Sequence, residues 1–140
     1  MILTVLALLL GYLTLSVSTT LLYAAWMSTT SVSGEVHTIT AQFVAFAGIC
    51  GLGFATLSGY IVGLVARRAP VAHTAVFSLM LMIIWLASTF IGSAKEPLSI
   101  SILNIAIALT GIMTGGWIRY AQTKEMAAKA VKAESIEPQA

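Results

Sequence analysis

The chain has 140 residues and a formal net charge of +2; 59% of its residues are hydrophobic and only 9% are charged. An average soluble domain is about 45–50% apolar and about 25% charged, so this composition excludes a water-facing globular surface. Glu35 is the only charged side chain before Arg67, and the absence of any Asp excludes a Ser-His-Asp triad.

The first apolar stretch covers 2–27. It begins Met1, Ile2, Leu3 without the basic segment of a signal peptide. The run Leu21 to Trp26 restores apolar character after Thr14, Ser16, Ser18, Thr19 and Thr20, so a retained helix is expected rather than a cleaved leader. A loop over 28–35, rich in Ser and Thr with Gly34, leads to a second stretch at 36–66, long enough that it must tilt or protrude. Arg67, Arg68, Ala69 and Pro70 form the next connection. The third stretch follows at 71–92, a loop at 93–97 ends on Pro97, and the fourth stretch covers 98–120. Pro70 and Pro97 suit first turns of helices, where a missing N–H costs nothing.

Each stretch is long enough to cross about 30 Å of hydrocarbon, which takes about 20 helical residues. Backbone groups in lipid must be satisfied within the protein, so spans are helices or a closed barrel. Continuous apolar runs without period-2 alternation favour helices. The expected fold is therefore all-α: a four-transmembrane-helix bundle with up-down-up-down topology, because short loops make successive helices antiparallel neighbours. The expected organisation is a bundle over 1–120 and a charged cytoplasmic tail over 121–140, helical and then disordered. Glu125 and Lys129 lie at i,i+4 in that tail, alanines favour helix, and Pro138 ends it.

Arg67, Arg68, Arg119, Lys124, Lys129 and Lys132 all fall on one side of such a bundle, against Lys95 on the other. The positive-inside rule then places both termini in the cytoplasm. Trp26, Tyr60, Trp117 and Tyr120 lie near span ends, where amphipathic rings prefer the interface. Arg67, Arg68, His73 and Arg119 are the candidate contacts to lipid headgroups on the cytoplasmic side, and the basic clusters mark topology rather than nucleic-acid binding.

The most specific pattern lies in the second span. Ala47, Gly51, Ala55, Gly59 and Gly63 recur every four residues and share one helix face. Faces of small residues allow close backbone approach in lipid, so this stripe is expected to pack against a helix of this chain, against another chain, or against a flat cofactor or lipid. The fourth span carries a shorter version in Ala108, Gly111 and Gly115. Gly51→Leu and Gly59→Leu are both expected to disrupt that packing. No particular cofactor is identified.

Intramembrane polar candidates are Gln42, Asn104, Thr110 and Thr114. The threonines can donate to the carbonyl four residues back. Asn104 has no such local partner and is expected to hydrogen-bond another helix. No Asp, Glu, Lys or Arg falls deep in a span, which counts against a proton-coupled pump and against a small multidrug antiporter. The lone thiol, Cys50, can form neither an intrachain disulfide nor a metal site by itself, and His37 and His73 fall on opposite sides of the membrane. Neither a phosphate-binding glycine loop nor paired catalytic carboxylates occur, so no catalytic or metal residues are expected and the protein is expected not to be an enzyme.

Gly48-Ile49-Cys50-Gly51 with Thr56, and Gly116-Trp117-Ile118-Arg119-Tyr120, resemble pieces of the bacterial fluoride-channel family, but in the wrong chain order and without its phenylalanine-rich Thr/Ser track. The segment from Ser58 through Gly59, Tyr60, Arg67, Arg68 and Pro70 to His73 is more similar to small, uncharacterised bacterial four-helix inner-membrane proteins. There a Gly-Tyr segment ends one helix and an Arg-x-Pro-x-x-His turn starts the next. That resemblance implies a location in the bacterial inner membrane and no activity. The functional expectation is a non-catalytic membrane protein that works by packing, as an accessory subunit of a membrane complex or as a homo-oligomer. Its partners would be the lipid bilayer and either other membrane subunits or itself. The alternative is a small channel or transporter for a neutral or weakly charged solute.

Overall fold

A segment with no polar face and no water to bond its backbone closes its own hydrogen bonds as a helix. The computed structural model describes residues 2–30, 41–66, 69–91 and 98–134, which form four helices: α1 (Ile2–Thr30), α2 (Ala41–Ala66), α3 (Pro70–Ile91) and α4 (Leu98–Glu134). The shortest, α3, has 22 residues and so rises about 33 Å, enough to cross the hydrocarbon. All four helices are long and apolar enough to span a membrane.

Two helices are longer than the hydropathy pattern predicts. α1 continues through Ser28, Thr29 and Thr30, residues expected in a loop. Ser and Thr cost only a few tenths of a kcal/mol in a helix, too little to stop one already nucleated. α4 runs without a break past Tyr120 to Glu134, so the first part of the charged tail is a continuation of the fourth span and not a separate helix. Nothing from Trp117 to Glu134 breaks a helix, since neither Gly nor Pro occurs there. The expected start of the second span at 36–40 lies outside the described residues.

α3 begins at Pro70. Ala69, just before it, has a left-handed backbone with φ of 51°. The proline ring disfavours the right-handed helical conformation for the residue before it, and the left-handed one costs an alanine about 1 kcal/mol. The Ala69 carbonyl offsets this by accepting the His73 backbone N–H at 3.3 Å and lying 3.0 Å from His73 Nδ1.

α2 is the centre of the bundle. Its largest contact is with α4, and it also packs on α1 and α3; α3 packs on α4, and α1 touches α3 only lightly. Among the described residues α1 and α4 do not pack on each other. Early α1 meets late α2, where Ser58 Oγ donates to the Gly11 carbonyl at 2.7 Å. Late α3 meets early α4, where Trp85 Nε1 donates to Ser101 Oγ at 2.8 Å.

Among the described residues, the buried ones all lie toward one end. Ala7, Ala55, Val62, Phe77, Leu81 and Ile112 form the apolar core, joined by Ser58 and Thr74. This tight half adjoins the α2–α3 turn. In the other half, made of the second part of α1, the first part of α2, the end of α3 and the start of α4, no described residue is buried.

Candidate functional site

The small-residue stripe of α2 is divided between these two halves. In the tight half the α2 and α4 backbones touch. A Cβ placed on Gly59 would run into the Ile112 backbone, and one on Gly115 would run into the Thr56 and Gly59 backbones. A Cβ on Gly111 would come within 2.6 Å of Ala55 Cβ, and one on Gly63 within 3.1 Å of Pro70 Cβ and 3.2 Å of the Arg119 stem. Ala55, Gly59, Gly63, Gly111 and Gly115 are therefore one packed surface inside the chain, where close approach provides the dispersion contacts that hold helices together in lipid.

The upper part of the stripe differs. A Cβ on Gly51 would meet only Ile107 Cγ2, at 4.0 Å. Ala47, Gly51 and Ala108 line a cavity of about 290 Å³ between the helices, together with Leu15, Leu22, Phe54, Trp85 and Asn104. The helices separate here because α1 and α4 do not pack on each other. The two substitutions expected to disrupt this packing meet different surroundings: leucine at 59 must displace a backbone, whereas leucine at 51 has room.

Asn104 faces this cavity. It is exposed within the bundle and makes no hydrogen bond among the described residues, so the interhelical bond expected of it is absent there. Thr110 and Thr114 are exposed and donate to the carbonyls of Ala106 and Thr110, both at 2.8 Å. Their polarity is satisfied within α4. The Gln42 side chain lies outside the described residues, as do Arg67 and Arg68.

His73 is half-buried. Its Nδ1 faces the Ala69 carbonyl and its Nε2 lies 3.5 Å from Thr4 Oγ1. Both ring nitrogens thus face protein atoms, and the ring lies between α1 and the start of α3. Arg119 is half-buried with its stem against Gly63.

Several residues make contacts here that the sequence did not show. Gly11 takes Val62 and Phe77 against its backbone, and Gly116 takes Thr74. An isolated glycine within an apolar helix costs about 1 kcal/mol relative to alanine, and that was the available signal for Gly11. Ser58 had none, because nothing in a linear sequence shows which serine faces a neighbouring helix. Tyr60 Oη, expected at the interface, donates to Gln122 Oε1 at 3.0 Å and ties α2 to the extended part of α4.

The site can thus hold an apolar object and offer it one amide, with no titrating group described in its wall. Comparison with known protein families, curated proteins and solved structures found no match.

Proposed function

We propose that this chain is a non-catalytic integral membrane protein, with up-down-up-down topology and both termini cytoplasmic, that serves as an accessory subunit of a membrane complex or assembles with itself. The observation that carries this reading is the uneven packing. At most 28% of any span's apolar window is buried within the chain, and one whole half of the bundle buries no described residue. The glycines of the tight half are already used between α2 and α4, so a partner would pack on the open half and the outer helix faces. The pairing of early α1 with late α2, and of late α3 with early α4, supports the alternating topology. Six basic residues on the α2–α3 turn and the tail, against Lys95, support the orientation. The bilayer is the solvent, the bacterial inner membrane fits the sequence resemblance, and no role with nucleic acid is proposed.

Intact-complex mass measurement in mild detergent tests the proposal. A species heavier than the 14.7 kDa chain, containing a second subunit or copies of this one, is the expected result. A stable lone chain from native membranes would contradict it.

A second reading, a small channel or transporter for a neutral or weakly charged solute, is favoured by the cavity and its Asn104 amide, which has no partner among the described residues. Flux in proteoliposomes across a solute panel separates the two, and flux abolished by Asn104→Leu would favour transport.

A further inference from the structure

We propose that the cavity in the open half holds one acyl chain of a bilayer phospholipid, whose ester carbonyl accepts a hydrogen bond from the Asn104 side-chain amide. The inference rests on the membrane-spanning reading and not on the accessory-subunit role.

Shape supports a chain. The α4 wall runs from Ile100 to Ala108 and the α2 wall from Val44 to Phe54, which at 1.5 Å per residue is about 12 Å and 15 Å along the bundle axis. An elongated space parallel to the helices suits a chain lying along the membrane normal. Size suits a single chain, since the space is about 290 Å³. For comparison, an engineered apolar cavity of about 150 Å³ binds benzene.

Chemistry supports hydrocarbon over water. Apart from Thr19 and Asn104 the wall is aliphatic and aromatic, with small-residue gaps at Ala47, Gly51 and Ala108. Apolar walls favour hydrocarbon over water, and an empty cavity leaves its lining without dispersion partners. Hydrocarbon surrounds a membrane-spanning bundle, so a chain is the available filler. Its one polar group near the glycerol would meet Asn104, six residues or about 9 Å from the start of α4. The Thr19 hydroxyl donates to the Leu15 carbonyl and the Trp85 indole N–H to Ser101, which leaves Asn104 as the donor for a lipid.

The experiment uses the full chain in phosphatidylcholine vesicles whose lipids carry a photoactivatable diazirine on one acyl chain. Adducts on Ala47 or Ala108 are expected beside those on the lipid-facing Ile49 and Ile102, which are 74% and 50% exposed. Adducts on Ile49 and Ile102 alone would overturn the proposal. Gly51→Leu fills the space and is expected to lower the inner-wall adducts at least fivefold; unchanged inner adducts would also overturn it. Asn104→Ala is expected to lower them about threefold, the usual strength of a hydrogen bond between membrane helices, and an unchanged yield removes the assigned headgroup contact. Should the variants not fold, the parent protein's adduct map alone decides. A parallel arm uses brominated phosphatidylcholine and Trp117, which is 65% exposed. Loss of its fluorescence shows that the bundle is inserted; no loss means that the membrane reading has failed, not the cavity assignment alone. Efficient quenching of Trp85 by acrylamide in a Trp26→Phe, Trp117→Phe background would show water in the cavity and overturn the lipid occupant.

Discussion

Gly59 and Gly115 face each other across the α2–α4 contact so closely that a Cβ at Gly115 would lie 3.0 Å from the Gly59 carbonyl carbon. No side chain separates the two backbones at this point. Any other residue at either position must push apart helices that are already held by Ala55 and Ile112 nearby, both fully buried.

Gly59→Leu and Gly115→Ala should therefore destabilise the bundle by at least about 1–3 kcal/mol, the usual cost of overpacking. Gly53→Ala should be neutral or slightly stabilising, since nothing lies within 4 Å of its added methyl and alanine is the better helix former. Unfolding by dodecyl sulfate titration in mixed micelles measures all three. Equal stability of Gly115→Ala and the parent would refute the backbone contact.

The two buried serines should behave oppositely. Ser58 Oγ donates across helices to the Gly11 carbonyl at 2.7 Å, and Ser58→Ala should cost about 0.6–1.7 kcal/mol. Ser78 Oγ is buried with no partner among the described residues. Removing an unsatisfied buried hydroxyl relieves its desolvation cost, so Ser78→Ala should leave stability unchanged or raise it by up to about 1 kcal/mol. The same micelle titration reads both, and a larger loss for Ser78→Ala than for Ser58→Ala would reverse the assignment.

Trp85 and Ser101 join α3 to α4 in the half that lacks a buried core. A double-mutant cycle of Trp85→Phe and Ser101→Ala should give a coupling of about 0.6 kcal/mol, the average for hydrogen bonds between membrane helices. The exposed Glu125–Lys129 pair at 2.7 Å should couple by only about 0.3–0.5 kcal/mol and fade in salt. Additive single variants at Trp85 and Ser101 would show that the 2.8 Å bond contributes nothing.

Orientation can be read by cysteine labelling. In a Cys50→Ala background, Lys129→Cys on the exposed end of α4 should react with a membrane-impermeant maleimide only after the cytoplasmic side is opened. Labelling in intact cells would place the tail outside and reverse the proposed topology.

The number of helices was legible from composition because hydrocarbon imposes one demand, internally bonded backbone over about 20 apolar residues, and that demand leaves a local trace. The every-fourth-residue spacing of Ala55, Gly59 and Gly63 likewise marked a common face. What the linear pattern could not show is what each face meets, because contact depends on residues far apart in the chain. Only the tertiary arrangement closed α4 onto Gly59 and Gly63 and left Gly51 facing open space. It also joined Ser58 to Gly11 and left Asn104 lining a cavity that α1 and α4 do not close. In a solvent as apolar as the side chains themselves, hydropathy does not distinguish inside from outside. Helix contacts are chosen by shape and by a few hydrogen bonds, and these exist only once the helices have assembled.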